Sequence, residues 1–416
     1  MRREIIAVAD IGSGEVKIVI AEMMAGELKV LGCGRARCEG IVAGRVSSIT
    51  NTAEAIRQAC QDAQAMSGCE LSEVMVCFGG RYIGSMNNTG SVYHRRLAPA
   101  SVSDVNTAIE NATHVKIEEG AEIVNVIPRG FSLDDADGIQ DPVRMTCMNI
   151  EADVNLILSS KVILDNIQRA VERASLRVRE FVAAPYASSL AVLDEEEMRM
   201  GVLMLNLGAG TTSLQVWRGG ALEWTGVVDN GGNMVTTAIN RSLKTPFDIA
   251  EKTKLQFGSA ICDGIDQSEW IEVPTVGGRQ PCRVSRLSLA EVIIGPTVRE
   301  WLGGVADFAA QNVDFNDLHS GIVITGGAAR MRGMVELTDE IFNLPTRLGQ
   351  PHDVSGLQSI VEGDPSMSAA WGTILFRALS TNSKNRSPMA PRSLREPAGK
   401  GFSFGSLLRS AMGLSW

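Results

Sequence analysis

The chain has 416 residues, 44% hydrophobic and 21% charged, which is enough for two domains with sizeable cores. Its net charge of −9 excludes a general nucleic-acid binder, which needs a basic surface. Eight scattered cysteines form no C-x-x-C pair and the four histidines stand apart, so free thiols in a reducing compartment are expected and no metal cluster is.

The N-terminus carries no secretory signal pattern, and no apolar run approaches the ~20 residues that span a bilayer. The expected location is the cytoplasm or the cytoplasmic face of a membrane. Residues 5–10, 16–22 and 28–38 read as strands joined by glycine-bearing turns. A helix follows at 49–66, with Ala53, Ile56, Ala59 and Cys60 at helical spacing, then a buried strand at 74–79. From Tyr82 to about Ser160 the pattern changes. It has Asn-Asn-Thr-Gly at 87–90, a helix at 102–111, a strand at 122–128, the acidic turn "LDDADG" and a strand at 149–158. This reads as an inserted α+β subdomain of about 80 residues. Helices are expected at 160–175 and 187–193.

The stretch at 201–220, "GVLMLNLGAGTTSLQVWRGG", then repeats what "IAVADIGSGEVKIVIAEMMAG" wrote at 6–26. Aligning Asp10 with Asn206 sets Gly12 on Gly208, Gly14 on Gly210 and Val16 on Thr212. After the repeat, "NGGNMVTTAIN" turns into a helix, a second helix spans 245–258, and a hairpin over 270–283 turns at Gly277-Gly278. A long helix is expected over 289–308. "SGIVITGGAARMRGM" is a buried strand, a double-glycine turn and a helix start, and the last core helix covers 369–379. Residues 381–400, with three prolines and five basic residues, read as a disordered linker. From Thr381 onward the net charge is +5, leaving −14 on the preceding 380 residues.

Each repeated hairpin has a loop without bulky side chains, so backbone N–H groups can converge on an anion. The candidate phosphate-binding residues are Gly12, Ser13, Gly14 and Lys17 in the first copy. In the second they are Gly208, Ala209, Gly210, Thr211 and Thr212. Ser13, Thr211 and Thr212 supply hydroxyls and Lys17 a neutralising charge. Asp10 is placed to hold hydrated Mg²⁺, the one metal-ligating residue expected. Gly326, Gly327 and Ala328 read as the loop beside a base or ribose. Glu251 and Lys254, three apart on one helix face, either bond ribose hydroxyls or form a solvated ion pair. For either hairpin alone, a β-turn that needs glycine is the competing reading.

Together these residues resemble the actin/Hsp70/sugar-kinase ATPase superfamily, and within it the FtsA family of bacterial actin-like cell-division proteins. The stretches "VIPRGFSLDDADGIQDP", "AVERASLRV", "ASSLAVLDEEE", "VTTAI", "VPTVGGR", "LAEVI" and "GIVITGGAARMRGM" carry the resemblance along nearly the whole chain. It implies an α/β, actin-like (ribonuclease H-like) two-lobed ATPase fold with an inserted α+β subdomain and a C-terminal amphipathic helix. The implied divisions are subdomain 1A at 1–83, 162–198 and 366–380; 1C at 84–161; 2A at 199–243 and 318–365; and 2B at 244–317. Polymerisation, ATP and Mg²⁺ binding, and FtsZ binding through 2B are implied with it, as is recruitment of later divisome proteins. The family's second phosphate hairpin usually opens with Asp, and Asn206 brings no charge to a metal, so efficient hydrolysis is not expected.

Wound as a helix from Phe404, the last residues place Phe404, Leu407, Leu408, Ala411 and Leu414 on one side and Ser406, Arg409, Ser410 and Gly413 opposite, with Trp416 near the boundary; Arg409 and Met412 count with Phe404, Leu407, Leu408, Leu414 and Trp416 as expected membrane-binding residues. This reads as an in-plane anchor for anionic lipid, with docking on the protein's own body or on a partner as the alternative. Three functions therefore stand: an adaptor tethering the FtsZ ring to the membrane, a soluble small-molecule kinase of the same superfamily, and a nucleotide-independent scaffold.

Overall fold

In the first strand, Glu4–Ile11, the residues from Ile6 to Ile11 are all buried, as expected of a central strand with helices on both faces. This computed structural model describes residues 3–24, 27–278, 280–352, 354–356, 358–381 and 392–393. Glu4–Ile11 pairs antiparallel with Glu15–Met24, which pairs antiparallel with Glu27–Arg37. On its other side it runs parallel to Glu73–Phe78, and that strand runs parallel to Arg177–Ala183. The second lobe repeats this arrangement strand for strand. Val202–Leu207 pairs antiparallel with Thr212–Arg218, which pairs with Ala221–Val228. On its far side lie the parallel strands Ile322–Thr325 and Thr346–Leu348. The repeated sentence is therefore a repeated five-stranded sheet.

Helices Ile49–Ser67 and Lys161–Arg173 pack together beside the first sheet. Ala184–Val192 and Ser368–Thr381 pack on each other and do double duty. Their core includes Val202, Met204, Trp217, Leu222 and Val323 of the second lobe, and Tyr186 stacks on Trp217 with centroids 6.1 Å apart. Val354 and Val361 also join this core, and Val30 N–H of the first lobe donates to Ser355 O at 2.9 Å. A separate core around Trp301 fills the second lobe behind its sheet.

The inserted subdomain is a sheet of Gly84–Pro99, Thr146–Ser160 and Ala121–Leu133 under helix Val102–Asn111. The Asn-Asn-Thr-Gly stretch at 87–90 lies inside the 16-residue strand Gly84–Pro99. The expected 289–308 helix runs from Arg286 to Ala310 but widens to a π-helical stretch at Leu289–Ile294. Pro296, which has no N–H to offer the preceding turn, follows directly.

The expected linker is not structureless throughout: Arg392–Ser393 pair antiparallel with Val126 and Asn125 on the edge of the inserted sheet. The expected lipid-facing residues Phe404, Leu407, Leu408, Arg409, Met412, Leu414 and Trp416 lie outside the described residues. Among the described residues, no helix is long and apolar enough to cross a membrane.

Candidate nucleotide cleft

Both repeated loops close in the same way. Gly12 N–H donates to Glu15 O at 3.2 Å, and Gly208 N–H donates to Thr211 O at 3.0 Å. The strand register agrees: Asp10 faces Lys17 as Asn206 faces Ser213. The two loops come from different lobes and meet at their tips. A Cβ placed on Gly210 would stand 3.0 Å from the Ser13 Oγ. Between them opens a cleft.

The cleft wall includes Asp10, Gly12, Ser13, Gly14, Lys17, Asn206, Gly208, Ala209, Gly210, Thr211, Gly326 and Gly327. The sequence assigned these to a nucleotide site, and the fold brings them together. Thr212 turns the other way. It is fully buried, donates to Asn230 O at 2.7 Å and accepts from Trp301 Nε1 at 2.9 Å. Strand alternation explains this: Thr211 faces the cleft, so Thr212 faces the core. Its expected role as a phosphate donor is withdrawn.

Glu251, Lys254 and Ala328 lie outside the cleft wall. Lys254 Nζ is 2.7 Å from the Glu251 carboxylate and donates to Thr236 Oγ1 at 2.9 Å and Gly232 O at 3.2 Å. Lys254 is buried, so the pair is not a solvated one. It braces Gly232, where a Cβ would stand 3.2 Å from the Ala328 Cβ.

Asp10 and Lys17 are both buried, with Nζ 3.3 Å from Oδ2, and Glu15 lies 3.4 Å from the same nitrogen. Burial pushes the Asp10 carboxyl up despite the pull of Lys17. Burial also opposes the Lys17 charge, yet Asp10 and Glu15 together hold its pKa above the ordinary value. The ammonium is therefore present and shared between two carboxylates.

Several groups around the cleft carry no motif of their own. Arg35 bonds Asp364 at 2.7 Å and lies 3.7 Å from Glu15, and Arg330 lies 3.7 Å from Asp364. This chain of charges runs from the first glycine loop to the Gly326-Gly327 loop. Ser366, Ser368, Ala184 and Gly79 complete the wall. Gly79 had a readable signal. "VMVCFGG" ends in a glycine pair as "IVITGG" does, and the two strands hold the same place in the two sheets.

The residues fit a nucleotide by their shape. Cβ atoms at Gly12, Gly14, Gly208 and Gly210 would all sit at or within 3.0 Å of neighbouring atoms, so the cradle stays open to backbone approach. For Mg²⁺ the wall offers the carboxylates of Asp10 and Glu15 and the amide of Asn206, a donor set that suits a hydrated ion. Among the described residues no cluster of three metal-ligating side chains occurs.

The family model described as Cell division protein FtsA matches residues 203–372, and that of the SHS2 domain inserted in FTSA matches 80–158. Cell division protein FtsA of Neisseria meningitidis serogroup B is 34% identical over 371 residues, covering 89% of each chain. Among solved structures, a PilM-PilN type IV pilus biogenesis complex aligns with a TM-score of 0.61 at 16% identity, over 90% of this chain and 98% of that one. MreB5 of Spiroplasma citri bound to ADP aligns with a TM-score of 0.56 at 12% identity, over 92% and 99%. These two likenesses establish a shared fold and nothing more.

Proposed function

Because the chain belongs to the FtsA family of cell division proteins, with an actin-like fold, we propose that it is an ATP-binding adaptor that polymerises and tethers the FtsZ ring to the cytoplasmic face of the membrane. Recruitment of later divisome proteins belongs to the same reading. The observation that carries it is the convergence of two glycine loops, from separate lobes, on one cleft closed by a third glycine loop. Gly12, Gly14, Gly208 and Gly210 would cradle phosphates with backbone N–H groups. Lys17 would trade one of its carboxylate partners for phosphate oxygen. Asp10 would hold Mg²⁺ through water, and the ion would offset polyphosphate charge. Gly326 and Gly327 would pass beside the base. The division role rests on the family, and the lipid contact on the apolar and basic pattern of residues 381–416.

Gly327 provides the clean test. A Cβ there would stand 3.8 Å from the Ser366 Cβ, an ordinary contact, so Gly327→Val keeps the fold while narrowing the cleft. Calorimetric titration with ATP and Mg²⁺ is expected to show binding in the parent and at least about a tenfold loss in the variant, or 1.4 kcal/mol. No binding in the parent would favour the nucleotide-independent scaffold, the reading to which the neutral Asn206 lends weight.

A further inference from the structure

Asn206 ends the central strand of the second lobe beside the cleft, and its amide is already engaged. Nδ2 donates to the Ser188 Oγ at 2.7 Å. Ser188 belongs to helix Ala184–Val192 of the first lobe, while Asn206 ends the central strand of the second. The bond therefore crosses the cleft floor. Ser188 is fully buried, and its oxygen also receives the Ser368 hydroxyl from the last helix at 3.4 Å. On the other side of the amide, Oδ1 lies against Gly326, where a Cβ would stand 2.4 Å away and φ is 93°. One side chain thus touches the first lobe, the second lobe and the third glycine loop.

We propose that Asn206 is a positioning residue that latches the two lobes across the cleft floor through Ser188, and that its neutral amide makes this latch independent of Mg²⁺. An amide offers both donors and an acceptor, whereas an ionised carboxylate only accepts. Aspartate at this position would receive the Ser188 proton rather than give one. It would also set a negative charge in a wall whose lysine, Lys17, is already shared between Asp10 and Glu15. The neutral amide adds no such charge. The latch is consequently made in the nucleotide-free protein and holds the lobes in register without Mg²⁺.

The metal half of this inference rests on the cleft being a nucleotide site; the latch half does not. The first arm of the test is thermal unfolding of the full nucleotide-free chain as parent, Asn206→Ala, Ser188→Ala and the double variant. If the two side chains act through one bond, each single change lowers Tm and the double change lowers it by less than the sum. Additive losses would overturn the latch. The second arm titrates ADP by calorimetry with Mg²⁺ and with EDTA. Asn206→Asp is expected to raise the ratio of the two affinities by about tenfold over the parent, an ordinary size for coupled sites. An unchanged ratio would overturn the metal half. Absence of ADP binding in every protein would overturn the nucleotide reading and the metal half with it, while the unfolding arm still decides the latch.

Discussion

Gly14 and Ala209 sit on the facing loops of different lobes, and a Cβ built on Gly14 would stand 3.0 Å from the Cβ of Ala209. The glycine is therefore an interlobe packing requirement as well as part of a phosphate cradle. Gly14→Ala should destabilise the protein by about 1–3 kcal/mol, the usual cost of forcing extra volume into a packed contact. Adding Ala209→Gly removes the atom that is struck and should restore most of the loss. Denaturant midpoints of the single and double variants test this. A double variant no better than Gly14→Ala would place the strain elsewhere in the loop.

Thr212 makes the complementary prediction. Its hydroxyl satisfies both Trp301 Nε1 and Asn230 O in the buried interior of the second lobe. Thr212→Val keeps the shape and orphans both partners, which should cost about 1–3 kcal/mol. The variant that remains folded should bind ATP as the parent does, in contrast with Gly327→Val. A fall in affinity matching that of Gly327→Val would return Thr212 to the phosphate site.

The sequence showed this division of labour only in part. Spacing aligned the two hairpins, and glycine revealed which turns had to be tight. Which neighbour turns inward was not written in composition: Thr211 and Thr212 look alike until strand register separates them. Asn87–Gly90 shows the same limit. It has the residues of a turn, yet each serves the strand it lies in. Gly90 seats a helix, since a Cβ there would meet Ala112 N at 2.2 Å and Ala108 O at 2.3 Å. Asn87 donates to Glu223 O and Asn88 to Ala112 O. Ser188, Arg35 and Asp364 were illegible because their partners lie far away in sequence. Arg35 and Asp364 are 329 residues apart, and only the crossing of the chain between lobes joins them.

Two arginine–carboxylate pairs pin the places where the chain crosses between lobes, and they set a pH dependence. Arg35 bonds Asp364, and Arg347 bonds Glu197 at 2.5 Å. Burial is the largest single influence and raises both carboxyl pKa values, but the arginine hydrogen bonds and charge, together with hydrogen bonds from Ser366 to Asp364 and from the Asp194 N–H to Glu197, outweigh it and leave each below its ordinary value. Depressed carboxyls stabilise the fold above their unfolded pKa, near 4, and lose that contribution as pH falls through the lower folded value. Asp364→Asn should therefore cost stability at pH 7, with the gap to the parent closing below about pH 4. Unfolding followed by circular dichroism from pH 7 to pH 2 checks the sign. A gap that stayed constant or widened in acid would show that Asp364 contributes through something other than its charge.

Membrane attachment makes the last prediction, because it joins the cleft to the tail. Residues 401–416 offer about five large apolar side chains, each worth ~1.5–3 kcal/mol when fully buried, before ordering costs are subtracted. Arg409 is the sole charge among them, so a single copy should bind lipid weakly and reversibly. A polymer presenting many copies raises the effective concentration of every tail and converts weak contacts into firm attachment. Co-sedimentation with vesicles containing anionic lipid should accordingly rise cooperatively with protein concentration, and more steeply when ATP and Mg²⁺ are present. Leu408→Glu places a charge on the apolar side and should abolish pelleting while leaving ATP affinity unchanged. Strictly hyperbolic binding would separate attachment from polymerisation. Undiminished pelleting of Leu408→Glu would move the lipid contact out of the tail altogether.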